Sequence, residues 1–413
     1  MILVISGDIS PFQYKEEKIK ITPITYRAWP IFIFSFIRLF ALSIFERAFL
    51  NYILFYRDVS ESVFGFISSA SAVAYILGPI LGHLITSKIG IKNSLILSNI
   101  TTPILIFAQL IFFAPWYLIT IRVISGLLLG VYWPNCYNLL SRWQTVSTTE
   151  KAKSNFKNFN YSWNIGFILG LLSGYLLAFS LSEFITMIIS WFLSLLLIFF
   201  SLFLRNDSEL DQSKEISSIN NTNKEINDSN HSMIIYPILF SWLTLGVYTM
   251  SKALIRFSYP VFLKNFGQPS YFSYLVQLTI QVGQLSGLTL INYMKIYTRK
   301  IIVFTSILAI IMSSLTIIIF NDILYISIIS ASFGIFIGLI QGASLKIMID
   351  YGAAQNTKKF STINEILKGI GFGLTPIIAG VIAEFNIYAN FVFLCFFGIS
   401  ILMYLIYLSR KVH

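Results

Sequence analysis

The chain has 413 residues, 56% of them hydrophobic and 11% charged, with 38 phenylalanines and a mean hydropathy of +0.75. Soluble domains carry roughly 25% charged residues, so this balance excludes an ordinary soluble enzyme and points to many membrane spans. A formal net charge of +11 would suggest nucleic acid in a soluble protein, but its placement along the chain assigns it to topology instead, and no nucleic-acid partner is expected.

Residues 1–28 form a polar arm holding Lys15, Lys18, Lys20 and Arg27, whose apolar run ILVI is too short for a signal peptide. Apolar segments of the roughly 20 residues that a helix needs to cross a bilayer then recur at 29–56, 62–86, 94–114, 117–141, 154–180 and 183–204. Six more follow at 234–262, 270–294, 300–320, 323–348, 361–383 and 387–408. The expectation is an all-α integral membrane protein of twelve transmembrane helices, with six-helix bundles over 29–204 and 233–410. Between the bundles, residues 205–232 are rich in Ser, Asn and charge without apolar periodicity, which reads as a flexible linker.

Orientation follows from lysine and arginine. With the N-terminus inside, 20 of the 29 fall in the arm, the linker and the cytoplasmic loops, two (Arg57 and Lys264) fall outside, and seven lie within spans. The positive-inside bias therefore predicts a cell-membrane protein with both termini and the linker in the cytoplasm.

The two sixes repeat one another. Gly78-Pro-Ile-Leu-Gly82 returns 205 residues later as Gly283-Gln-Leu-Ser-Gly287, and Ile165-Gly166-Phe167 returns at the same offset as Ile370-Gly371-Phe372. Gly126 and Gly130 return 208 residues later as Gly334 and Gly338. Small residues four apart let helices approach closely, and three such matches in order argue for a duplicated half with a cavity between the copies.

The fourth segment reads RVISGLLLGVYWPN, with Arg122, Gly126 and Gly130 four apart and so on one helix face. This run resembles the fourth-helix motif of the major facilitator superfamily of secondary transporters, and the resemblance extends over about 26–410. LITSKIGIKN resembles that family's Gly-x-Leu-Ala-Asp-Arg-x-Gly-Arg-Lys loop: Lys88, Gly90 and Lys92 fit, while Ser87, or Thr86 one position earlier, stands at the aspartate. GFILGLLSGY resembles its antiporter motif through Gly166, Gly170 and Gly174, with Leu171 and Tyr175 where the family has proline and glycine. The resemblance implies twelve helices around a central cavity, alternating access, a small-molecule substrate, a monomer in the lipid bilayer, and a cytoplasmic gate near Ser87, Lys88 and Lys92.

Ionisable residues inside spans are functional candidates, because burying charge in hydrocarbon is costly. Arg38 falls near the midplane, while Glu46, Arg47, Arg122, Lys252 and Arg256 fall in the outer half. Cations outnumber Glu46, which suits carboxylate or phosphate ligands. Glu46 is expected to pair with Arg122 or Arg47 and to carry a proton during transport, the alternative being a permanent ion pair. Arg38 has packing as its alternative; Lys252 and Arg256 have snorkelling to the interface. Gln277, Gln281 and Gln284 form a polar stripe that must line a cavity or a neighbouring helix. Trp133, Asn135 and Asn164 add aromatic and amide groups fit to hold a small organic solute.

Towards the cytoplasm, Lys346 and Asp350 are four apart, Glu365 and Lys368 three apart, spacings that pair on a helix. They are gate candidates, with plain solvated helix ends as the alternative. Two cysteines within apolar spans and three scattered histidines give no disulfide framework, metal-ligand spacing or nucleophile motif, so no cofactor, metal or enzymatic activity is expected. The expected function is secondary transport of a small organic solute, with an anionic metabolite preferred and the proton as candidate coupling ion. A drug–proton efflux transporter is the alternative, and a non-transporting receptor or assembly protein on the same fold is the alternative from another class.

Overall fold

The computed structural model describes residues 28–145, 149–204, 237–294, 298–320, 322–354 and 359–410. The N-terminal arm to Arg27 and the linker at 205–232 lie outside the described residues. Hydrocarbon offers backbone amides no water, so a spanning segment must satisfy them internally, and every described element is a helix. These are α1 (Trp29–Tyr56), α2 (Glu61–Tyr75), α3 (Gly78–Ile111), α4 (Pro115–Thr145), α5 (Thr149–Ser180) and α6 (Glu183–Ser201), followed by α7 (Ile238–Asn265), α8 (Phe272–Tyr293), α9 (Thr298–Ile319), α10 (Ile323–Ala354), α11 (Lys359–Phe385) and α12 (Ala389–Arg410).

The second and third spans fall where the apolar segmentation puts them, but the helices are cut elsewhere, because the second span is broken within itself. α2 has 15 residues and stops because Pro79, in the first turn of α3, has no N–H to continue the ladder. α3 then runs through Gly90, whose φ of 79° and ψ of 166° lie in a region essentially reserved for glycine. The chain turns there. The second crossing is therefore α2 together with 78–89, and the third is 91–111. Among the described residues, eleven helices are long and apolar enough to cross alone, and the broken second span completes the twelve.

Most helix contacts of one half recur in the other. α1 lies on α5 and α6, α2 on α4, and α3 on α4 and α6; correspondingly α7 lies on α11 and α12, α8 on α10, and α9 on α10 and α12. The repeated glycines sit at the closest of these crossings. A Cβ on Gly130 would fall on the backbone of Gly78, and one on Gly338 on the backbone of Gln284. Gly166 meets Phe36 of α1, and its counterpart Gly371 meets Thr249 of α7. The motifs repeat because the same helix contacts repeat.

The halves join through α2 against α11 and α5 against α8. One group of contacts between them lies at the end formed by the loops after α1, α3, α5, α7, α9 and α11, called here the odd-loop end. There Lys264 Nζ lies 3.0 Å from Asp58 Oδ1, Glu384 Oε1 accepts the backbone N–H of Ser62 at 3.2 Å, and Phe64 meets Phe257 with ring centroids 5.2 Å apart. One apolar cluster runs through both halves and includes Phe45, Phe49, Phe64, Phe257 and Tyr274. A second cluster, with Phe34, Leu95, Tyr132, Phe159 and Leu197, belongs to the N-terminal half alone.

Candidate functional site: an ion cluster between the halves

Charge inside the bundle gathers where α1, α4, α7 and α8 meet. Glu46 Oε2 accepts Nη2 of Arg122 at 2.8 Å and lies 3.7 Å from Nη2 of Arg256. Arg122 is 2% exposed; its Nη1 donates to Gln109 Oε1 at 3.3 Å and its guanidinium stands 5.2 Å from the Phe49 ring. One carboxylate thus bridges an arginine of its own half and an arginine of the other. Helical spacing explains the meeting: Phe45, Phe49 and Ile53 bury one side of α1, leaving Glu46 on the flank that faces α4 and α7.

A polar ladder continues from this cluster. Lys252 of α7 donates from Nζ to Gln281 Oε1 at 3.0 Å and also to Gln284. Gln281 Nε2 donates to Asn164 Oδ1 across the halves at 3.2 Å, and Gln284 is bonded to Gln341 and, at 3.4 Å, to Tyr248. Gln277, one turn earlier on the same face, lines a cavity of about 20 Å³ with Arg47, Lys252, Arg256, Tyr259 and Ser273. That is room for about one water molecule.

Beside it lies a further carboxylate. Glu183, the first residue of α6, is 2% exposed and accepts from Asn51 Nδ2 at 2.8 Å, Ser270 Oγ at 2.6 Å and Tyr274 OH at 2.8 Å. Ser273 Oγ donates to Asn51 Oδ1 at 3.0 Å. Asn51 and Glu183 belong to one half, Ser270, Ser273 and Tyr274 to the other, so the network ties α1 and α6 to the start of α8.

The sequence profile of the Major Facilitator Superfamily matches residues 31–243, more than half of the chain. The chain belongs to the Major Facilitator Superfamily. It is a multi-pass membrane transporter by family and fold, not an enzyme. Two solved structures similar to it are the nucleoside transporter NupG (TM-score 0.67, 15% identity, covering 93% of this chain and 99% of that one) and an aspartate-to-alanine mutant of NupG (TM-score 0.66, 16% identity, covering 92% and 99%). Identity this low speaks for the fold alone. No curated protein matches the chain by sequence.

Other residues singled out from the superfamily's motifs and from charge fall elsewhere. Arg38 is held within the N-terminal half: Nη1 donates to Asn99 Oδ1 at 3.1 Å and the guanidinium stacks 4.0 Å over the Tyr132 ring. Asn135 braces α4 on α3 by donating to Thr86 Oγ1 at 2.8 Å. Trp133 packs against Tyr132, Tyr137, Phe159 and Trp163, an aromatic cluster of the N-terminal half. In the loop motif, Thr86 is the residue that reaches α4; Ser87 donates back to Leu84 O at 2.9 Å. Lys88 is exposed and Lys92 half-buried.

At the even-loop end Glu365 Oε1 accepts Lys368 Nζ at 2.6 Å, and Glu365 Oε2 accepts Tyr75 OH at 3.0 Å, linking α11 to α2. Lys346 Nζ donates to Ile291 O of α8 at 2.9 Å; the Asp350 side chain lies outside the described residues. Sequence reasoning misses Asn51, Glu183, Tyr274 and Gln109. Asn51 stands four residues after Arg47 on α1, and two polar neighbours on one face of an apolar helix are a readable signal. Glu183 carries none, because a Ser-Glu pair opening a helix reads as an ordinary cap.

Proposed function

We propose that this protein is a secondary transporter of a small organic solute, working by alternating access of its two halves in the cell membrane, with the proton as coupling ion. The observation that carries the coupling is Glu46 placed between Arg122 and Arg256. A proton on Glu46 removes the charge that draws an arginine of each half together, so protonation alters how firmly the halves are joined. One chain supplies both walls of the cavity, which favours a monomer. The excess of lysine and arginine in the loops on one face favours cytoplasmic termini, and Ser87, Lys88, Lys92, Glu365 and Lys368 lie at that face as gate candidates.

An anionic solute is favoured over a lipophilic drug, because cations dominate the cavity and the aromatic group around Trp133 packs on itself rather than on the cavity. The nucleoside transporters of similar fold place a nucleoside among the solutes to screen. The test is flux into proteoliposomes under an imposed pH gradient. Lower pH protonates Glu46 and frees Arg256, so solute affinity and uptake rise as pH falls. Glu46→Gln, a permanent mimic of the protonated form, flattens that dependence; a variant with the wild-type pH profile would remove Glu46 from the coupling.

A further inference from the structure

The charge beside the cavity does not balance. Arg47, Lys252 and Arg256 line it, Arg122 and Glu46 adjoin Arg256, and Glu183 lies near Arg47, which makes four cations against two carboxylates. The carboxylates are already engaged: Glu46 with Arg122, Glu183 with Asn51, Ser270 and Tyr274. Arg47 forms no ion pair among the described residues. It is 2% exposed, it lines the cavity, and its Nε and Nη1 have no hydrogen-bond partner. A buried guanidinium left in that state is costly, and a partner entering the cavity would relieve it.

The neighbouring groups narrow what that partner is. Lys252 is occupied by Gln281 and Gln284, Tyr259 shares a hydrogen bond with Ser327, and Ser273 donates to Asn51. The groups still available are two nitrogens of Arg47, the guanidinium of Arg256, 3.7 Å from Glu46 with its side chain 36% exposed, and the unpartnered amide oxygen of Gln277. Arg47 comes from the first half; Arg256 and Gln277 come from the second.

We infer that Arg47 and Arg256 form an oxyanion subsite across the halves, taking the carboxylate or phosphate group of the transported solute, with Gln277 fixing the atoms beside it. A guanidinium fork matches either group bidentately. The subsite rests on the transporter reading only for the word "transported"; binding stands by itself. It also gives Arg256 two competing anions, the solute and Glu46. Anion and proton then bind with positive coupling, because a proton on Glu46 frees Arg256 for the solute. The other charged groups facing Glu46 and Arg256 are Arg122 on α4, Arg47 on α1 and Lys252 on α7, and Arg47 in turn faces Glu183 of α6 and Tyr274 of α8.

The experiment is thermal unfolding of the purified full-length protein with succinate, lactate or inorganic phosphate, against uridine and tetraphenylphosphonium. At least one anion raises the melting temperature saturably. Its apparent Kd rises about tenfold or more in Arg47→Gln and in Arg256→Gln, and is unchanged in Arg410→Gln, at an exposed position. Arg47→Lys, which keeps the charge, retains part of the shift and serves if Arg47→Gln does not fold. Succinate or lactate acting alone identifies a carboxylate subsite, phosphate acting alone a phosphate subsite. No saturable shift with any of the three, or wild-type affinity in both Arg256→Gln and the Arg47 variant, overturns the inference; a salt effect on solvation would be non-saturable and would survive in the variants. Flux separates this from the transporter reading. Arginine-dependent anion binding without counterflow in proteoliposomes leaves the subsite standing and sinks transport. Counterflow of a neutral or cationic solute without such binding does the reverse.

Discussion

Arg38 and Arg122 are both nearly fully buried arginines of the N-terminal half, yet their surroundings assign them different work. Arg122 meets a carboxylate that also faces the opposite half. Arg38 meets only neutral partners in its own half, Asn99, Ser98 O at 3.4 Å and the Tyr132 face, so its charge has no way to report on the position of the halves. Arg38→Gln should therefore lower stability, on the order of 2–4 kcal/mol from a charged hydrogen bond and a desolvated cation–π contact, while leaving solute affinity and the pH profile of uptake intact. A melt combined with binding measurements checks this; a lost pH dependence with unchanged stability would place Arg38 in the transport machinery instead. Glu46 with Arg122 was one of two pairings legible from the sequence, the other being with Arg47, because charges are so rare inside these spans that few partnerships exist. Arg256 as the second partner was not, since snorkelling and pairing look identical along a sequence, and Glu183 was hidden because a carboxylate at a helix start is ordinarily solvated.

At the scale of the helix, glycine does two separable jobs, and only one of them is a packing job. The glycine repeats were readable because close helix contact imposes a local, one-dimensional spacing on the chain, and the structure finds Gly130 against Gly78 and Gly338 against Gln284 in corresponding places. The break between α2 and α3, at 76–77, was not readable from hydropathy, since 62–86 is apolar on both sides of it; the turn at Gly90 was, because it falls in the polar gap between the segments 62–86 and 94–114. Gly90 has open space where a Cβ would project but a φ of 79°, whereas Gly130 has helical geometry and no space. Gly90→Ala should thus cost about 1–3 kcal/mol through backbone strain alone, and larger side chains there should cost little more. Gly130→Ala is already a clash of backbone against Cβ, and Gly130→Leu should abolish folding or expression, with Gly338→Leu doing the same to the other half. Expression and melting temperature across both series check the contrast; a steep size dependence at position 90 would mean that space, not φ, selects glycine there.

For the molecule as a whole, the question is which end of the bundle is held shut and by what. The halves meet at the odd-loop end through an exposed ion pair, a ring contact and the buried Glu183 network, and these differ greatly in strength. Lys264–Asp58 involves an aspartate side chain 94% exposed, and such pairs contribute little. Glu183 holds three donors away from water, two of them from the second half, and bonds to a buried charge are worth about 1.5–3 kcal/mol each. The network therefore decides how often this end opens. Removing one donor by Tyr274→Phe should move the equilibrium between closed and open by up to about tenfold to a hundredfold, while Lys264→Gln should hardly move it. A single cysteine at Gln277, with Cys136 and Cys395 replaced by alanine, reports the opening through its rate of labelling by a membrane-impermeant thiol reagent applied at the odd-loop face. Labelling should be slow in the parent, faster in Tyr274→Phe and near the parent rate in Lys264→Gln. Equal rates in all three would shift the closing force to the Phe64–Phe257 contact and the apolar cluster around it, which no polar substitution would loosen.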